Sequence, residues 1–357
     1  MNLSRKSSSH IRSQKGRKFV TSILGAVVLL ILLFALYFYK MIHWDPSGRI
    51  EDTAYICLRP GATIDDVRSQ LINKVGLRHP KLFDFYADRQ HLGAKLRPGR
   101  FAVLKGMSES DIVDLLINGE ETPVSFNIGL VRTEEDLVSL FSSRLAMKKD
   151  SLRIALNDTA LCRTFGDFDP DNIRCLFIPG KYEIYWNSTP RQLLSVMKKS
   201  YDKFWTSHRC GKAEKLGLTP CQVAIIASIV EEESGKKDEW GRIARLYINR
   251  YHIGMPLQSD PTVKFASGHF ELRRITGEYL RTKSPYNTYV NKGLPPGPIR
   301  LASKDAIDAV LNAPETKDIY MCAKEDFSGY HNFATSYAQH QQNAKRYQKE
   351  LDKRGIK

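Results

Sequence analysis

Two stretches of this chain have an apolar run that covers every side of a helix, and the remainder alternates. Residues 19–39, FVTSILGAVVLLILLFALYFY, run without a charge, long enough for one helix to cross a bilayer. The second stretch is 218–235. There Val223, Ala224, Ile225, Ile226, Ala227, Ile229 and Val230 cover every side of a helix rather than one stripe, the pattern of a helix buried inside a sizeable domain. Thr219 is its expected N-cap, Pro220 suits the first helical position, and Gln222 is placed to close a capping box. Gly235 is the expected left-handed stop.

Shorter patterns organise the rest. Residues 54–58 read as a strand, 62–67 open a helix with Val67 and Leu71 on one side, and a second helix covers 80–90. A strand at 99–104 and a helix at 108–117 follow. Strand, helix, helix, strand predicts a small α/β module over residues 50–122. Beyond it, a strand at 124–128, a helix at 133–145 and a helix at 189–205 flank a segment holding Tyr182, Tyr185 and Trp186. Those aromatics suit either sugar stacking or a core. A helix at 239–251 follows Gly235 so closely that it predicts a hairpin with 218–235, with Glu233 at the turn. Residues 254–333 read as loop-rich, with polar and proline-stiffened clusters at 258–262, 284–289 and 293–299, as loops lining a cleft do. An amphipathic helix at 335–354 ends the chain. The expected class is α+β: a single N-terminal transmembrane helix, a small α/β module, and a larger mixed α/β domain over 123–357 built around the buried helix.

Charge refines this picture. The net charge of +15 is uneven: residues 1–18 carry Arg5, Lys6, Arg12, Lys15, Arg17 and Lys18 and no acid. With that basic tail before the apolar run, the positive-inside rule puts the N-terminus in the cytoplasm and the bulk of the chain across the membrane. The run is too long for a cleavable leader, and no small-x-small site follows it. No nucleic-acid motif is present, so a polyanionic envelope or anionic membrane surface is the expected partner for the charge. Six cysteines show no metal-finger spacing. In an oxidising compartment Cys162–Cys175 and Cys210–Cys221, the pairs nearest in sequence, are candidate disulfides, with free thiols as the alternative.

The candidate chemistry is carboxylate chemistry. Nucleophile-elbow, zincin, phosphate-loop and dinucleotide fingerprints are absent, and the nine histidines show no metal spacing, so no metal or cofactor is expected. Glu231, Glu232 and Glu233 crowd the C-terminal end of the buried helix, where the helix dipole disfavours anions. Mutual repulsion and desolvation favour the proton-holding form. Glu233 follows Val230 by three and Ile229 by four, so it continues the apolar face. That makes it the candidate general acid, with Asp260 a candidate helper. The competing reading is a solvated acidic helix end neutralised by Lys236 and Lys237. His331, between Tyr330 and Asn332, is the histidine to watch.

Several ordered blocks carry a resemblance: Ala227-Ser228-Ile229-Val230-Glu231-x-Glu233-Ser234, Ile248-Asn249-Arg250, Gly254-Met255-x-Leu257-Gln258-Ser259-Asp260-Pro261-Thr262-Val263, Tyr286-Asn287-Thr288-Tyr289, Gly293 to Ile299, and His331-Asn332-Phe333. Together they resemble the endolytic murein transglycosylases of the YceG-like (MltG) family, whose anchor and LysM-like module match as well. The resemblance implies a bacterial inner-membrane protein with its catalytic domain on the periplasmic side (core blocks 218–333). It implies cleavage of the β-1,4 bond between N-acetylmuramic acid and N-acetylglucosamine within nascent glycan strands, leaving 1,6-anhydro ends. It assigns Glu233 as catalytic residue and Gln258, Asp260, Tyr286, Asn287 and Thr288 to the substrate. Peptidoglycan strands and the cytoplasmic membrane are the implied partners, with peptidoglycan synthases as candidates. Glu232 stands where the family often has Lys or Arg, and Ser259 where it has Thr. Arg300-Leu301 stands where the family reads toward Pro-Gly. Glu232 is expected to add negative charge beside Glu233 and favour its protonated form. A hydrolytic muramidase using Asp260 as base, and a non-catalytic glycan-binding scaffold, are the competing readings.

Overall fold

The computed structural model describes residues 22–37, 39–40, 52–272, 275 and 277–355. The basic tail at 1–18 and residues 19–21 and 38 of the expected membrane span lie outside the described residues. Helix α1 (Ser22–Tyr37) occupies the apolar run with its side chains exposed. Among the described residues no single helix is long and apolar enough to cross a membrane. The chain divides into two compact units, 1–122 and 123–357.

In the first unit β1 (Thr53–Leu58) pairs antiparallel with β2 (Gly99–Leu104), Ile56 opposite Phe101. Between them lie α2 (Ile64–Gln70), a π turn at Leu71–Val75, α3 (Pro80–Arg89) and α4 (Leu92–Lys95), and α5 (Glu109–Asn118) follows. Strand alternation turns Ile56, Leu58, Phe101 and Val103 to one face, where they bury against Val67, Leu71, Phe83, Ile112 and Leu116. Thr63 with Asp66 and Ser108 with Asp111 form capping boxes that start α2 and α5.

The second unit opens with β3 (Val124–Ile128), which pairs antiparallel with β4 (Gly180–Ile184). Helices α6 (Glu134–Ser142), α7 (Lys149–Leu156) and α8 (Thr159–Arg163) and a 3-10 turn at Ile173–Leu176 fill the connection. Next come α9 (Pro190–Phe204), α10 (Ser207–Lys215), α11 (Pro220–Glu233) and α12 (Trp240–His252). The region read as loop contains more regular structure than expected. It holds α13 (Asp260–Ser267), α14 (Lys304–Leu311) and an antiparallel hairpin of β5 (Tyr320–Ala323) and β6 (His331–Ala334), on which α15 (Tyr337–Lys353) packs. The start signals were present but short. Pro261 sits in the first turn of α13, and the Ser303 hydroxyl accepts the Ala306 N–H to cap α14. Tyr182 is buried, its hydroxyl bonded to the Ile178 carbonyl and to Ser200, so it belongs to the core. Tyr185 is exposed.

Helix α11 is apolar all round because two cores share it. Ala224 and Ile225 pack with Phe141, Leu176 and Phe177. Val223, Ile226, Ala227, Ile229 and Val230 pack with Ile243, Tyr247, Ile307 and Val310. Each buried valine or isoleucine among them contributes roughly 1.5–3 kcal/mol. The capping box is formed: the Thr219 N–H donates to Gln222 Oε1 at 2.9 Å and the Gln222 N–H to Thr219 Oγ1 at 3.2 Å. The expected glycine stop is not used. Ser234 ends the helix in an extended conformation (φ −140°), and Gly235 does not take a left-handed φ. Trp240 Nε1–H reaches back to the Ser234 carbonyl at 2.7 Å and closes the turn instead.

Neither sequence-adjacent cysteine pair is bonded. Cys175 joins Cys221, Cα–Cα 5.6 Å, tying the 3-10 turn to the first turn of α11. Packing of α11 on that turn brings these two together, while Cys162 is buried with its thiol on the Leu156 carbonyl. Alkylation of the oxidised, denatured chain is therefore expected to label four cysteines (Cys57, Cys162, Cys210, Cys322) and, after reduction, Cys175 and Cys221 as well. Substituting both bonded cysteines by serine should lower unfolding stability by about 2–4 kcal/mol. Labelling of all six before reduction would refute the pairing.

Candidate active site

The end of α11 sorts three adjacent carboxylates into three environments. Glu231 accepts the Ser303 backbone N–H at 2.9 Å and faces Arg300 at 3.6 Å. It therefore sits at the N-terminus of α14, where negative charge is favourable. Glu232 is gripped by Arg132 (3.0 Å) and Arg300 (2.8 Å). Lys236 and Lys237, the expected counter-charges, serve elsewhere: Lys236 lies over the Tyr330 ring and Lys237 pairs with Asp305. Two guanidinium groups therefore answer the charge that Glu232 was expected to add beside Glu233.

Glu233 has no cationic partner within ion-pair distance among the described residues; it has hydroxyls. Tyr247 Oη donates to Oε1 at 2.6 Å, and Ser259 Oγ donates to the same oxygen at 2.5 Å. Tyr247 comes from α12, packed across α11, and is 1% exposed. Burial pushes the Glu233 carboxyl above the ordinary glutamate range. The two hydroxyl bonds and His331 oppose that rise, and the Asp260 carboxylate adds to it. Burial drives the Tyr247 hydroxyl well above its ordinary value, and Glu233 adds to this, so it remains a donor. A protonated carboxyl held by neutral donors can give up a proton and then take one back.

The loops after α12 supply the surroundings. Arg250 is buried and donates to the Leu257 and Ile319 carbonyls, both at 2.6 Å, fixing the chain just before Gln258. Gln258 takes a left-handed φ of 52° with its side chain exposed. Asp260 is exposed, and Tyr289 Oη donates to its Oδ1 at 2.6 Å. Tyr286 is half-buried, its ring against Phe265 at 4.7 Å and its hydroxyl near Arg174. Asn287 and Thr288 are enclosed, in contrast to the expected cleft-lining positions. The Asn287 amide donates to the Leu280 and Thr282 carbonyls, and Thr288 Oγ1 accepts the Ser259 N–H at 3.0 Å. Their polar atoms are spent on holding the loop.

His331 at the start of β6 donates its backbone N–H to Glu239 and places Nδ1 3.1 Å from the same carboxylate. It borders an open pocket of about 390 Å³ that includes Arg242, Lys324 and Tyr330. Sequence reasoning missed Tyr247, Ser259, Tyr289, Arg132 and Arg300 as members of this site. Tyr247 read as one more core position on α12, and nothing in the sequence paired Arg132 with a residue a hundred positions away.

Because Arg300 is 8% exposed and answers two carboxylates at once, Arg300→Met should lower stability by about 3 kcal/mol at neutral pH, read by denaturant unfolding. A loss under half a kcal/mol, the level of an exposed pair, would show that the two glutamates are solvated.

The model of the YceG-like family matches residues 56–346. The chain is 25% identical over 291 residues to the endolytic murein transglycosylase of Bacillus subtilis, covering 77% of this chain and 79% of that protein. It is 25% identical over 295 residues to the endolytic murein transglycosylase of Streptococcus pneumoniae serotype 2, covering 74% of this chain and 53% of that protein, about half its length. A crystal structure of a yceG-like protein from Listeria monocytogenes matches with a TM-score of 0.53 at 22% identity, over 82% of this chain and 99% of that one, a likeness of fold. The match runs from β1 through α11 and every loop around Glu233, and this chain belongs to the YceG-like family.

Proposed function

We propose that this chain is a membrane-anchored lytic transglycosylase that cuts within nascent peptidoglycan strands, with Glu233 as its single acid and base. The observation that carries the reading is a half-buried carboxyl at the end of a packed helix, raised above its ordinary range by desolvation and bonded by two hydroxyls, with no cation at ion-pair distance among the described residues. The endolytic murein transglycosylases among its relatives support the substrate class. The apolar α1 after a basic tail supports a cytoplasmic N-terminus and a periplasmic catalytic unit. The antiparallel strand pair of the first unit, with helices α2, α3 and α4 in its connection, supports a LysM-like role in holding glycan.

The chemistry follows from one carboxyl. Glu233 donates its proton to the glycosidic oxygen between N-acetylmuramic acid and N-acetylglucosamine as the bond from the anomeric carbon breaks. The muramic 6-hydroxyl then attacks that carbon, and its proton returns to the Glu233 carboxylate. One C–O bond breaks, one forms, and no water is consumed. Ordinary glycosidases need a second carboxylate for a nucleophile or a water; here the substrate supplies its own. Gln258, Asp260 and Tyr286 keep accessible surface and are the proposed sugar contacts, with Asn287 and Thr288 supporting them from behind. Trimming or terminating strands beside peptidoglycan synthases is the cellular role such a cut would serve.

Mass spectrometry of un-crosslinked peptidoglycan treated with the purified chain should show 1,6-anhydro-muramyl ends. Glu233→Gln should reduce their formation at least 10²–10⁴-fold. Reducing ends would instead establish a hydrolase with Asp260 as base, and no cleavage by the folded wild type would establish a binding protein. The wild-type rate should fall with increasing pH along a limb above the ordinary glutamate range of about 4.3, since the working form is protonated.

A further inference from the structure

Both hydroxyls that reach Glu233 donate to the same oxygen. Tyr247 Oη is 2.6 Å and Ser259 Oγ 2.5 Å from Oε1, and no bond to Oε2 is present among the described residues. A protonated carboxyl has one carbonyl-like oxygen, which accepts well, and one hydroxyl oxygen, which donates. Two donors converging on Oε1 make it the carbonyl-like one. We infer that Tyr247 and Ser259 are positioning residues that commit Oε1 to accepting hydrogen bonds and leave Oε2 as the oxygen that gives and takes the proton. The inference rests on the proposed role of Glu233 and specifies which atom performs it.

Ser259 is built for this task. Its N–H donates to Thr288 Oγ1 at 3.0 Å, its carbonyl accepts Thr262 Oγ1–H at 2.6 Å, and the two threonine hydroxyls meet at 2.8 Å. Immediately before it, Gln258 holds a left-handed φ of 52°, with its N–H on the Thr288 carbonyl at 3.1 Å. A non-glycine residue in that region costs free energy, which surrounding contacts must offset. Here it turns the next side chain onto Glu233. Asn287 in turn ties its loop to the Leu280 and Thr282 carbonyls. The enclosed motif residues thus form a frame whose product is the position of one serine hydroxyl. Once Oε2 has released its proton, the same two donors bond a carboxylate, and bonds to a charged acceptor are about twice as strong as neutral ones. The pair therefore favours the proton-transferred state over the ground state, the direction that lowers a barrier.

The titratable groups facing Glu233 are Tyr247 and Arg250 on α12, Asp260 on α13, Tyr289 in the loop and His331 on β6. Glu231 and Glu232 on its own helix are held by Arg300 and Arg132. Against the burial that raises the carboxyl, the Ser259 and Tyr247 hydrogen bonds lower it most, His331 lowers it less, and Asp260 raises it. Removing either hydroxyl should carry the alkaline limb of the rate to higher pH.

The test is the pH profile of kcat and KM for the full-length chain on un-crosslinked peptidoglycan, with unfolding midpoints measured in parallel. Ser259→Ala and Tyr247→Phe should each lower kcat about 10–100-fold, leave KM nearly unchanged, and move the limb upward. Ser259→Thr, which keeps the hydroxyl, should restore both rate and limb. A purely structural role would lower the unfolding midpoint and the active fraction with the limb unmoved, and that result overturns the inference. So would a threonine variant no better than the alanine one. If Ser259→Ala fails to fold, Tyr247→Phe decides by the same limb. Full activity of Glu233→Gln would instead overturn the role of Glu233 itself, so the two failures are distinguishable.

Discussion

A helix without a polar face has to be surrounded, and α11 is surrounded by two cores at once. That constraint determines most of what lies around it. Its N-terminus is capped by Thr219 and Gln222 and tied by a disulfide to the turn before β4. Its middle is bonded through the Ser228 hydroxyl, which accepts the Ile299 N–H and so draws the proline-rich segment along the helix. Its C-terminus, where the dipole is negative, emerges with three carboxylates and needs external compensation. A packed apolar rod thus delivers one carboxyl to a fixed place, with little freedom to shift.

Compensation is selective, and the selection creates the chemistry. Two of the glutamates meet guanidinium groups or a helix N-terminus and are structural anions. They also lock α14 and the segment around Arg132 against the helix end. The third is bonded by two hydroxyls, and among the described residues no cation lies at ion-pair distance, so desolvation raises its proton affinity. The same three-residue acidic run therefore contains both a structural ion-pair cluster and a proton donor. Glu232 and Arg300 face one another at 2.8 Å, and their charges answer one another.

The fold around this point is a frame of short, well-satisfied loops. Arg250 and Asn249 pin backbone carbonyls of the segments before α13 and before β5. Asn287 and Thr288 pin the loop that passes beneath Ser259. Such residues cost their polar atoms to the scaffold and keep few for a ligand, which separates them from exposed Gln258 and Asp260. Preorganisation of this kind removes the need for groups to reorient during proton transfer.

Much of this was legible in the sequence because it is local. The capping box at Thr219, the helix starts near Thr63 and Ser108, the strands at 54–58 and 99–104, and the α11–α12 hairpin depend on residues three to four apart or on simple alternation. The phase of Glu233 on its helix is local too. The shorter elements α13, α14, β5 and β6 were hidden in proline- and glycine-rich sequence, where a single capping serine is a weak sign. Helix termination at Ser234 rather than Gly235 and the Cys175–Cys221 bond depended on packing. The partners of the three glutamates lie 14 to 100 positions away. The sequence by itself determined that a buried helix would end in a carboxylate cluster. Only the tertiary structure decided which carboxyl meets arginine and which meets hydroxyls, because that choice is made by elements distant in sequence that the shared core forces together.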